Sequence, residues 1–389
     1  MPAFVRYAEY RLCLIPRLDL LAFSKGKTHK GNEVRLVAIS ERRASYISMK
    51  RHGHLWDKLV DPENLRLAIK NASRGKRWQR KVKKVLARED ECVQELHNML
   101  ISGQYHTAKY KTKVIYEPKQ RTIFILPFYP DRIVHHAIMQ VLEPIWDGLL
   151  ISDSYACRIG KGQHAGSRRC MQWTRQFKYC LKCDVSKFYP SLDHEVLRKI
   201  IRKKLKDPFL LNLLDEIIGS VPNGKNVPIG NYLSQWFGNI YLNELDTFIK
   251  QEKRIKPYLR YCDDFVIFSN DKSELHALAG EIKDFLGSKL LLRLSKCEVF
   301  PVTQGIDFLG YRHFPQGYIL VRKSTAKRVK KRMSVVLHEL ESGRLTVERA
   351  TAKVASTEGW LKHANTRHFS LSLKLAEIKK EIANHEKVQ

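Results

Sequence analysis

The feature that constrains this chain most is a pair of adjacent acidic residues, Asp263 and Asp264, set between two short apolar runs. Residues 258–261 precede the pair and residues 265–268 follow it. This pattern predicts a strand, a tight turn and a second strand, with the acidic residues at the turn. Neighbouring carboxylates raise each other's proton affinity, and packing at a hairpin tip does not offset this electrostatic cost. For a lone pair, an Asp-rich surface turn is the simpler and more common interpretation.

A third acidic residue favours a functional interpretation instead. Residues 179–185 form a short, largely apolar run with Asp184 near its end, as expected for a buried strand with an acid at its tip. If the two strands are neighbours, three carboxylates converge in a protein of net charge +30. Oxygen-only ligands suit Mg²⁺, and two such ions about 3.5–4 Å apart can promote a phosphoryl transfer. We therefore predict two Mg²⁺ ions at this place.

Composition indicates a folded protein that binds a polyanion. The 389 residues suffice for two or three domains, and 43% of them are hydrophobic. Seventy Lys and Arg against forty Asp and Glu residues favour nucleic acid as the partner. No apolar run reaches the roughly 18 residues of a spanning helix, so no membrane partner is expected. Cys180 and Cys183 are interpreted as small core residues of a protein in a reducing cytosol.

The sequence of the first half of the chain predicts a basic extension followed by helices and a hairpin. No secretory signal is expected in residues 1–48, and the folded part is expected to begin near Met49. Residues 63–103 predict helix, and their cations at 74–84 indicate either a phosphate contact or a solvated face. Two strands joined by a cationic turn come next, followed by a helix at 131–146.

The second half predicts alternating helices and strands. Asp193 is placed to cap a helix that runs to residue 204, and Gly230 lies at the mouth of another, where a ligand could approach the backbone. The remaining predicted elements are a helix at 272–287, a strand at 295–302, a hairpin that turns at 315–317 and about three basic amphipathic helices at 323–386.

In their order along the chain, several motifs resemble those of reverse transcriptases. They are Asp184 with an aromatic residue five positions on, Ile229-Gly230-x-x-x-Ser234-Gln235, Tyr261-Cys262-Asp263-Asp264, Lys296 and Phe308-Leu309-Gly310-Tyr311. The resemblance covers roughly residues 50–365, and the ordered set is far more specific than any one motif.

Within that superfamily the chain resembles most the reverse transcriptases of diversity-generating retroelements. Most reverse transcriptases carry Gln-Gly-x-x-x-Ser-Pro at the third motif, whereas this chain, like that subgroup, has Ile229 for the Gln and Gln235 for the Pro. The Gly-rich stretch at 155–166 and Gly359-Trp360-x-x-His363 are also similar to that subgroup. We expect no maturase-like or endonuclease extension.

The resemblance implies an α+β fold, a right-hand polymerase of fingers, palm and thumb with an antiparallel palm sheet and a helical thumb. After the basic extension at 1–48, fingers with N-terminal helices are expected at 49–177. A palm with interleaved fingers helices is expected at 178–311, and a hairpin with the helical thumb at 312–389.

The resemblance also implies roles for the site residues. Asp184 and Asp263 would bind the metal ions, with Asp264 completing the acidic cluster. Lys119 and Arg121 would hold the incoming triphosphate, because fixed cations neutralise charge that develops on phosphates. Tyr189 would be a steric gate that favours dNTPs, and Ile229 and Gly230 would form a nucleotide-binding loop. Lys296 would give a proton to the leaving pyrophosphate. The primer grip would consist of Phe308, Leu309, Gly310 and Tyr311.

Ile229 predicts low fidelity. An amide at this position could hydrogen-bond around the nucleotide, and a site built on hydrogen bonds rejects misfits better than an apolar one. This agrees with the subgroup's mutagenic copying at template adenines. The implied partners are dNTPs, the template RNA and its duplex with cDNA, and an oligomeric accessory protein that forms a small basic helical bundle. A cytoplasmic protein encoded by a bacterium, archaeon or phage is expected.

Two alternatives stay open. A retron or group II intron-like reverse transcriptase would share the acidic motifs but lack errors biased to adenine. A catalytically inactive palm that serves as an RNA-binding scaffold is a different class of protein, which the intact acids and Tyr189 disfavour. Primer extension with Mg²⁺ separates an enzyme from a scaffold.

Overall fold

The computed structural model describes residues 51–116 and 120–388. The expectations for residues 1–48 and for Lys119 lie outside these described residues. Helices and antiparallel strands alternate along the described chain, so the predicted α+β class is confirmed. None of the described helices is long and apolar enough to cross a membrane.

The described chain contains fifteen α-helices and nine strands, numbered here in chain order. The helices are α1 Trp56–Val60, α2 Pro62–Ser73, α3 Arg80–Leu86, α4 Glu89–Ile101, α5 Ile133–Leu149, α6 Gln163–Thr174, α7 Phe188–Ser191, α8 His194–Arg202, α9 Pro208–Gly219, α10 Tyr232–Thr247, α11 Lys272–Lys289, α12 Lys323–Glu341, α13 Val347–Leu361, α14 Arg367–Ser372 and α15 Leu375–Val388. The strands are β1 Lys111–Ile115, β2 Arg121–Ile125, β3 Tyr179–Val185, β4 Tyr258–Tyr261, β5 Asp264–Ser269, β6 Leu294–Pro301, β7 Ile306–Phe308, β8 Tyr311–His313 and β9 Ile319–Val321.

Two compact units divide these elements. The first runs to Val141 and includes Leu197–Ser220, and the second consists of Leu142–Val196 and Val221–Gln389. Short helices and the antiparallel hairpin of β1 and β2 make up the first unit. The predicted fingers, palm and thumb boundaries at residues 49, 178 and 312 stay predictions.

A buried carboxylate joins two helix starts in the first unit. Asp207 caps α9, where its Oδ1 accepts a hydrogen bond from the backbone N–H of Leu210 at 3.2 Å. Its Oδ2 accepts two more from the N–H groups of Leu55 and Trp56, at 2.7 and 3.0 Å, where α1 begins. Three backbone donors that their helices cannot satisfy therefore share one carboxylate.

Replacing Asp207 by alanine should lower the free energy of unfolding by about 2–4 kcal/mol, because buried N–H groups lose their acceptor. Asp61, an exposed cap whose side chain accepts from the N–H of Glu63, is the matched control. Asp61→Ala should cost about 1 kcal/mol. Urea unfolding of both variants measures the difference, and equal losses would contradict the role given to Asp207.

The sheet of the second unit has the strand order β4-β5-β3-β6, and all its pairs are antiparallel. Residues 265–268 of β5 are all buried, as are Cys180 and Cys183 of β3. Continuous burial instead of alternation indicates a sheet covered on both faces. The interpretation of these two cysteines as small core residues is thus confirmed.

Beyond the sheet, a small sheet of β7, β8 and β9 leads into a helical bundle. The bundle has a core of its own, to which α12, α13 and α15 contribute side chains such as Met333, Val354 and Ile378. Four helices are present where the sequence predicted about three. The extra one, α14, ends before Lys374, whose φ of 54° does not continue a right-handed helix.

Candidate active site

The three predicted acidic residues lie at one end of the β3–β5 strand pair, where β3 ends and β5 begins. Asp184 in β3 lies directly opposite Asp264 in β5. The N–H of Val185 donates to the carbonyl of Asp263 at 3.2 Å, which ties the end of β3 to the turn before β5. Cys262 adopts a φ of 54° in that turn, a left-handed conformation that reverses the chain tightly. The expected convergence of two acid-tipped strands is therefore present in the fold.

The surroundings of Asp264 disfavour the charged form of its carboxyl group. Burial, together with the carboxylates of Asp184 and Asp263, raises the pKa of Asp264 to about 7, while Lys182 opposes the shift. Lys182 Nζ lies 3.8 Å from Asp264 Oδ1, and that oxygen has no hydrogen-bond partner among residues 51–116 and 120–388. A cation at this place would relieve both the carboxylate repulsion and the unpartnered oxygen.

The acidic cluster has the oxygen ligands that Mg²⁺ prefers, but its side chains do not form a complete coordination site. In the described part of the chain, no three His, Cys, Asp or Glu side chains lie close enough to hold an ion by themselves. Mg²⁺ commonly keeps several waters and binds through one or two carboxylates together with substrate phosphates. An oxygen-only donor set with a desolvated carboxylate fits that mode, so Asp184, Asp263 and Asp264 stay the predicted ligands.

Two neighbours of the acids were not predicted from the sequence. Ser295 Oγ donates to Asp184 Oδ2 at 2.6 Å from the adjacent strand β6, and Lys182 faces Asp264. Strand alternation would have placed Lys182 on the same face as Asp184, two residues later. Lys296 lies opposite Asp184 across the β3–β6 pair and is exposed, so its predicted role as proton donor stays a prediction.

Tyr189 lies beside the acidic turn. Burial raises the pKa of Tyr189, with further contributions from Cys262, Cys157 and Asp263, and these contributions show that the ring is near that turn. A side chain at Gly238 would come within 3.3 Å of the Tyr189 ring, so the glycine makes room for it.

The loop that carries Ile229 and Gly230 is tied to the predicted gate. The N–H of Val227 donates to the carbonyl of Tyr189 at 3.0 Å, two residues before Ile229. Gly230 adopts a φ of 113°, a conformation that favours glycine. The structure therefore brings the predicted gate and the predicted nucleotide-binding loop together, while their roles stay predictions.

The predicted primer grip is a tight hairpin turn between β7 and β8. Phe308 and Tyr311 lie opposite each other and are both buried, so their rings support the turn from inside. Leu309 and Gly310 form the turn with φ values of 56° and 83°, as in a two-residue type I′ turn. Leu309 is half-buried and packs against the core cluster that contains Phe308, and the role of the four residues as a primer grip stays a prediction.

The predicted triphosphate-binding cations belong to the first unit. Arg121 begins β2 opposite Ile115. Lys119 precedes it outside the described residues. The predicted role of both residues stays a prediction.

The two stretches that resemble one subgroup of reverse transcriptases meet in a histidine cluster. The rings of His164 on α6 and His363 after α13 stack with centroids 4.3 Å apart. The buried hydroxyl of Ser167 bridges His363 Nε2 at 2.8 Å and His313 Nε2 at 2.7 Å. His164 Nε2 also hydrogen-bonds the hydroxyl of Tyr311 at 3.0 Å. The cluster joins α6 and α13 to the hairpin that forms the predicted primer grip.

This cluster predicts acid sensitivity. Burial lowers the pKa of His313 to about 4, with Lys182 adding and Asp307 opposing. Burial, then His164, Arg168 and His313, lower that of His363 to about 4 as well. An unfolded histidine has a pKa of about 6.5, so between these values the unfolded chain binds more protons. Stability should therefore fall as the pH drops from about 6.5 to about 4. Thermal unfolding at several pH values should show a weaker pH dependence in His313→Gln, and an equal dependence would contradict this account.

Comparison with known proteins agrees with this geometry. The family described as reverse transcriptase (RNA-dependent DNA polymerase) matches residues 90–313, more than half of the chain. Protein YkfC of Escherichia coli strain K12 is 28% identical over 271 residues, which cover 57% of this chain and 70% of that protein.

Two further proteins are more distant. The group II intron-encoded protein LtrA of Lactococcus lactis subsp. cremoris is 23% identical over 321 residues. That match covers 62% of this chain and about half, 53%, of LtrA. The structure of apo telomerase from Candida Tropicalis superimposes with a TM-score of 0.44 at 13% identity, covering 58% of this chain and 50% of that one. The family match carries the conclusion: this chain belongs to the reverse transcriptase family of RNA-directed DNA polymerases.

Proposed function

We propose that this reverse transcriptase copies a template RNA into mutagenised cDNA for a diversity-generating retroelement, by two-metal phosphoryl transfer. The observation that carries the chemistry is the cross-strand pairing of Asp184 with Asp264 beside the turn that contains Asp263. Two Mg²⁺ ions would activate the primer hydroxyl and stabilise the leaving oxygen. Asp184, Asp263 and Asp264 would hold these ions, and the hydrogen bond from Ser295 would orient the carboxylate of Asp184.

Other side chains of the chain act on the nucleotide. Arg121 and Lys119 neutralise charge on the triphosphate, since cations in fixed positions stabilise the charge that develops on phosphates. Tyr189 crowds a ribose 2′-hydroxyl and so favours dNTPs. Lys296 Nζ gives a proton to the leaving pyrophosphate, and its exposed position opposite Asp184 is compatible with that transfer.

Two features support the diversity-generating subgroup. Ile229 lies in the loop tied to Tyr189, where most reverse transcriptases carry a glutamine. The two stretches similar to the subgroup contact each other through His164 and His363. A small basic accessory protein and a cytoplasmic location belong to the same proposal.

Ile229→Gln should lower the error rate at template adenines by about fivefold or more, because a hydrogen-bonding side chain discriminates between nucleotides by roughly 1 kcal/mol or more. Sequencing cDNA copied from a defined RNA measures the rate. Leu371→Gln adds the same amide at a helix residue that is 74% exposed, and it should leave the errors unchanged. An unchanged error rate in Ile229→Gln would contradict the proposed role.

A group II intron-like reverse transcriptase is the second candidate, favoured by the similarity to LtrA. The same sequencing experiment separates the two. Errors concentrated at template adenines in the wild-type cDNA support the diversity-generating function. A flat error spectrum favours the intron-like enzyme.

A further inference from the structure

Two free cysteines of the second unit face each other across the strands β3 and β6. Cys183 and Cys297 are direct partners in this antiparallel pair, and their Sγ atoms lie 3.7 Å apart. Directly opposite residues of such a pair have Cα atoms about 4.5–5.5 Å apart, and disulfides span Cα distances of about 4.4–6.8 Å. The strand register therefore holds the two residues at a separation that suits a disulfide.

Cys297 is the thiol of this pair that is placed to react with an oxidant. Its side chain is half-buried, whereas Cys183 is fully buried. The thiol of Cys183 donates a hydrogen bond to Cys297 Sγ. This hydrogen bond lowers the pKa of Cys297 to about 7, with Lys283 adding to the shift and burial and Glu298 opposing it. Accessible thiols of low pKa are the ones that oxidise, because the thiolate is the nucleophile.

The pair is connected to the acidic cluster through the backbone. Side chains alternate along a strand, so the Cys183 thiol lies on the sheet face opposite to the Asp184 carboxylate. The pairing of β3 with β6 shifts register directly after Asp184, which leaves Ser295 as the extra residue of a bulge. From that bulge Ser295 donates to the Asp184 carboxylate, two residues before Cys297.

A bond between the two sulfur atoms would strain this connection. A disulfide is about 2.05 Å long, so the Sγ atoms must approach by roughly 1.6 Å. Cys183 directly precedes Asp184, and part of the movement therefore reaches the carboxylate and the bulge that orients it. A misplacement of about 1 Å at a catalytic centre can lower the rate about a hundredfold.

We propose that Cys183 and Cys297 are a peroxide-sensitive modification site, at which a reversible disulfide forms and slows primer extension. The Cys297 thiolate attacks one oxygen of a hydroperoxide. The O–O bond breaks, the sulfur becomes a sulfenic acid, and the other oxygen leaves as hydroxide or alkoxide. The Cys183 thiol then attacks this sulfur, so that an S–S bond forms and the S–O bond breaks, and its proton leaves with the hydroxide as water.

The two steps balance, and reductants reverse them. The two sulfur atoms together lose two electrons, which the oxygens of the hydroperoxide take up. A thiol reductant restores both thiols by exchange. Such a transient disulfide is compatible with the reducing cytosol expected from the sequence.

A second pair of thiols is the competing site. Cys157 and Cys262 also share a hydrogen bond, next to the acidic turn. Both residues lie outside the strands, at φ values of 59° and 54°, so a strand register does not fix their separation. The geometry therefore favours Cys183 and Cys297, and Cys157 provides the control for the other pair.

The test uses the full chain, which is first reduced and then treated with hydrogen peroxide. Peptide masses should show a disulfide between Cys183 and Cys297, and primer extension should slow at least about tenfold. Dithiothreitol should remove the disulfide and restore the rate, which separates this reaction from irreversible damage. No disulfide, a disulfide between other cysteines, or an oxidised enzyme as fast as the reduced one would overturn the proposal.

Variants assign the roles of the two thiols. Cys297→Ala should have the rate of the reduced wild type and keep it in peroxide. Cys183→Ala should also keep its rate, but it should accumulate a sulfenic acid on Cys297 that dimedone labels. Two protected variants guard against a folding defect in one of them. Inactivation of Cys183→Ala by peroxide would show that no disulfide is needed and would refute the switch.

The matched control is Cys157→Ala, which removes a thiol from the competing pair. Peroxide should slow this variant as much as the wild type, and dithiothreitol should restore it. Protection of Cys157→Ala would instead assign the effect to Cys157 and Cys262, against the proposal.

The expected loss of rate rests on the proposed metal-binding role of Asp184, whereas peptide masses and dimedone labelling need no catalysis. Undiminished extension by Asp184→Asn would contradict that role, whatever the state of the thiols. An enzyme that requires Asp184 but forms no disulfide between Cys183 and Cys297, or is not slowed by it, would contradict the switch alone.

Discussion

Asp263→Ala should lower the rate of primer extension by at least about a thousandfold, equivalent to about 4 kcal/mol of transition-state stabilisation. The effect is expected because Asp263 is one of the predicted metal ligands. Asp263 adjoins Asp264, which faces Asp184 across β3 and β5, so the change removes one of three carboxylates predicted to hold the metal ions. Primer extension on an RNA template with Mg²⁺ and dNTPs measures the effect.

The control for Asp263→Ala removes the same charge elsewhere in the second unit. Asp284 is exposed on α11, and Asp284→Ala should retain the wild-type rate. Thermal unfolding of both variants shows whether the fold is kept. Substantial extension by a folded Asp263→Ala enzyme would refute the assignment of the metal ligands, and no extension by the wild type would favour the RNA-binding scaffold.

Breaking the buried ion pair of Arg260 and Asp246 should have the largest effect on stability. Both side chains are fully buried, with Arg260 Nη2 2.5 Å from Asp246 Oδ2 and Nε 2.8 Å from Oδ1. Tyr258 also donates to Asp246 Oδ1, at 2.6 Å. Asp246→Ala leaves an uncompensated buried guanidinium, so unfolding should become easier by about 3–5 kcal/mol.

The same arginine supports the acidic turn. Arg260 Nη1 donates to the carbonyl of Cys262 at 3.1 Å, directly before Asp263. Arg260→Lys keeps the charge but not the planar fork that reaches Asp246 and this carbonyl together. We therefore expect Arg260→Lys to reduce kcat at temperatures where the protein remains folded.

A double-mutant cycle tests the pair. Arg260→Met with Asp246→Leu removes both charges, so the double variant should be more stable than the sum of the single losses predicts, by about 1–3 kcal/mol. Urea unfolding of the four proteins measures this coupling. Strictly additive losses would show that the two side chains do not act as a pair.

Local patterns predicted most elements because their causes are local. The apolar runs around the acids gave β3, β4 and β5 nearly to the residue, and Asp193 caps the predicted helix through the N–H groups of Glu195 and Val196. The helical structure predicted at 63–103 is divided into three helices, because Arg74 (φ −55°, ψ 125°) and Arg88 (φ −135°, ψ 49°) both leave the helical region. Propensity did not reveal these breaks.

Several features of the site depend on contacts between distant residues. The burial of a charged residue such as Arg260 is possible only because Asp246 arrives from another element. The inward rings of Phe308 and Tyr311 and the stacking of His164 on His363 likewise require the folded chain. No pattern within one element predicts such pairs.

From the sequence alone follow the order of the motifs, the acid-tipped strands and the excess of cations, since each depends on residue type and near neighbours. The tertiary structure decided that Asp184 lies opposite Asp264 and that Lys182 and Ser295 lie beside these two carboxylates. Strand register and charge placement arise from packing between distant segments. These contacts form only when the whole chain buries its apolar surface.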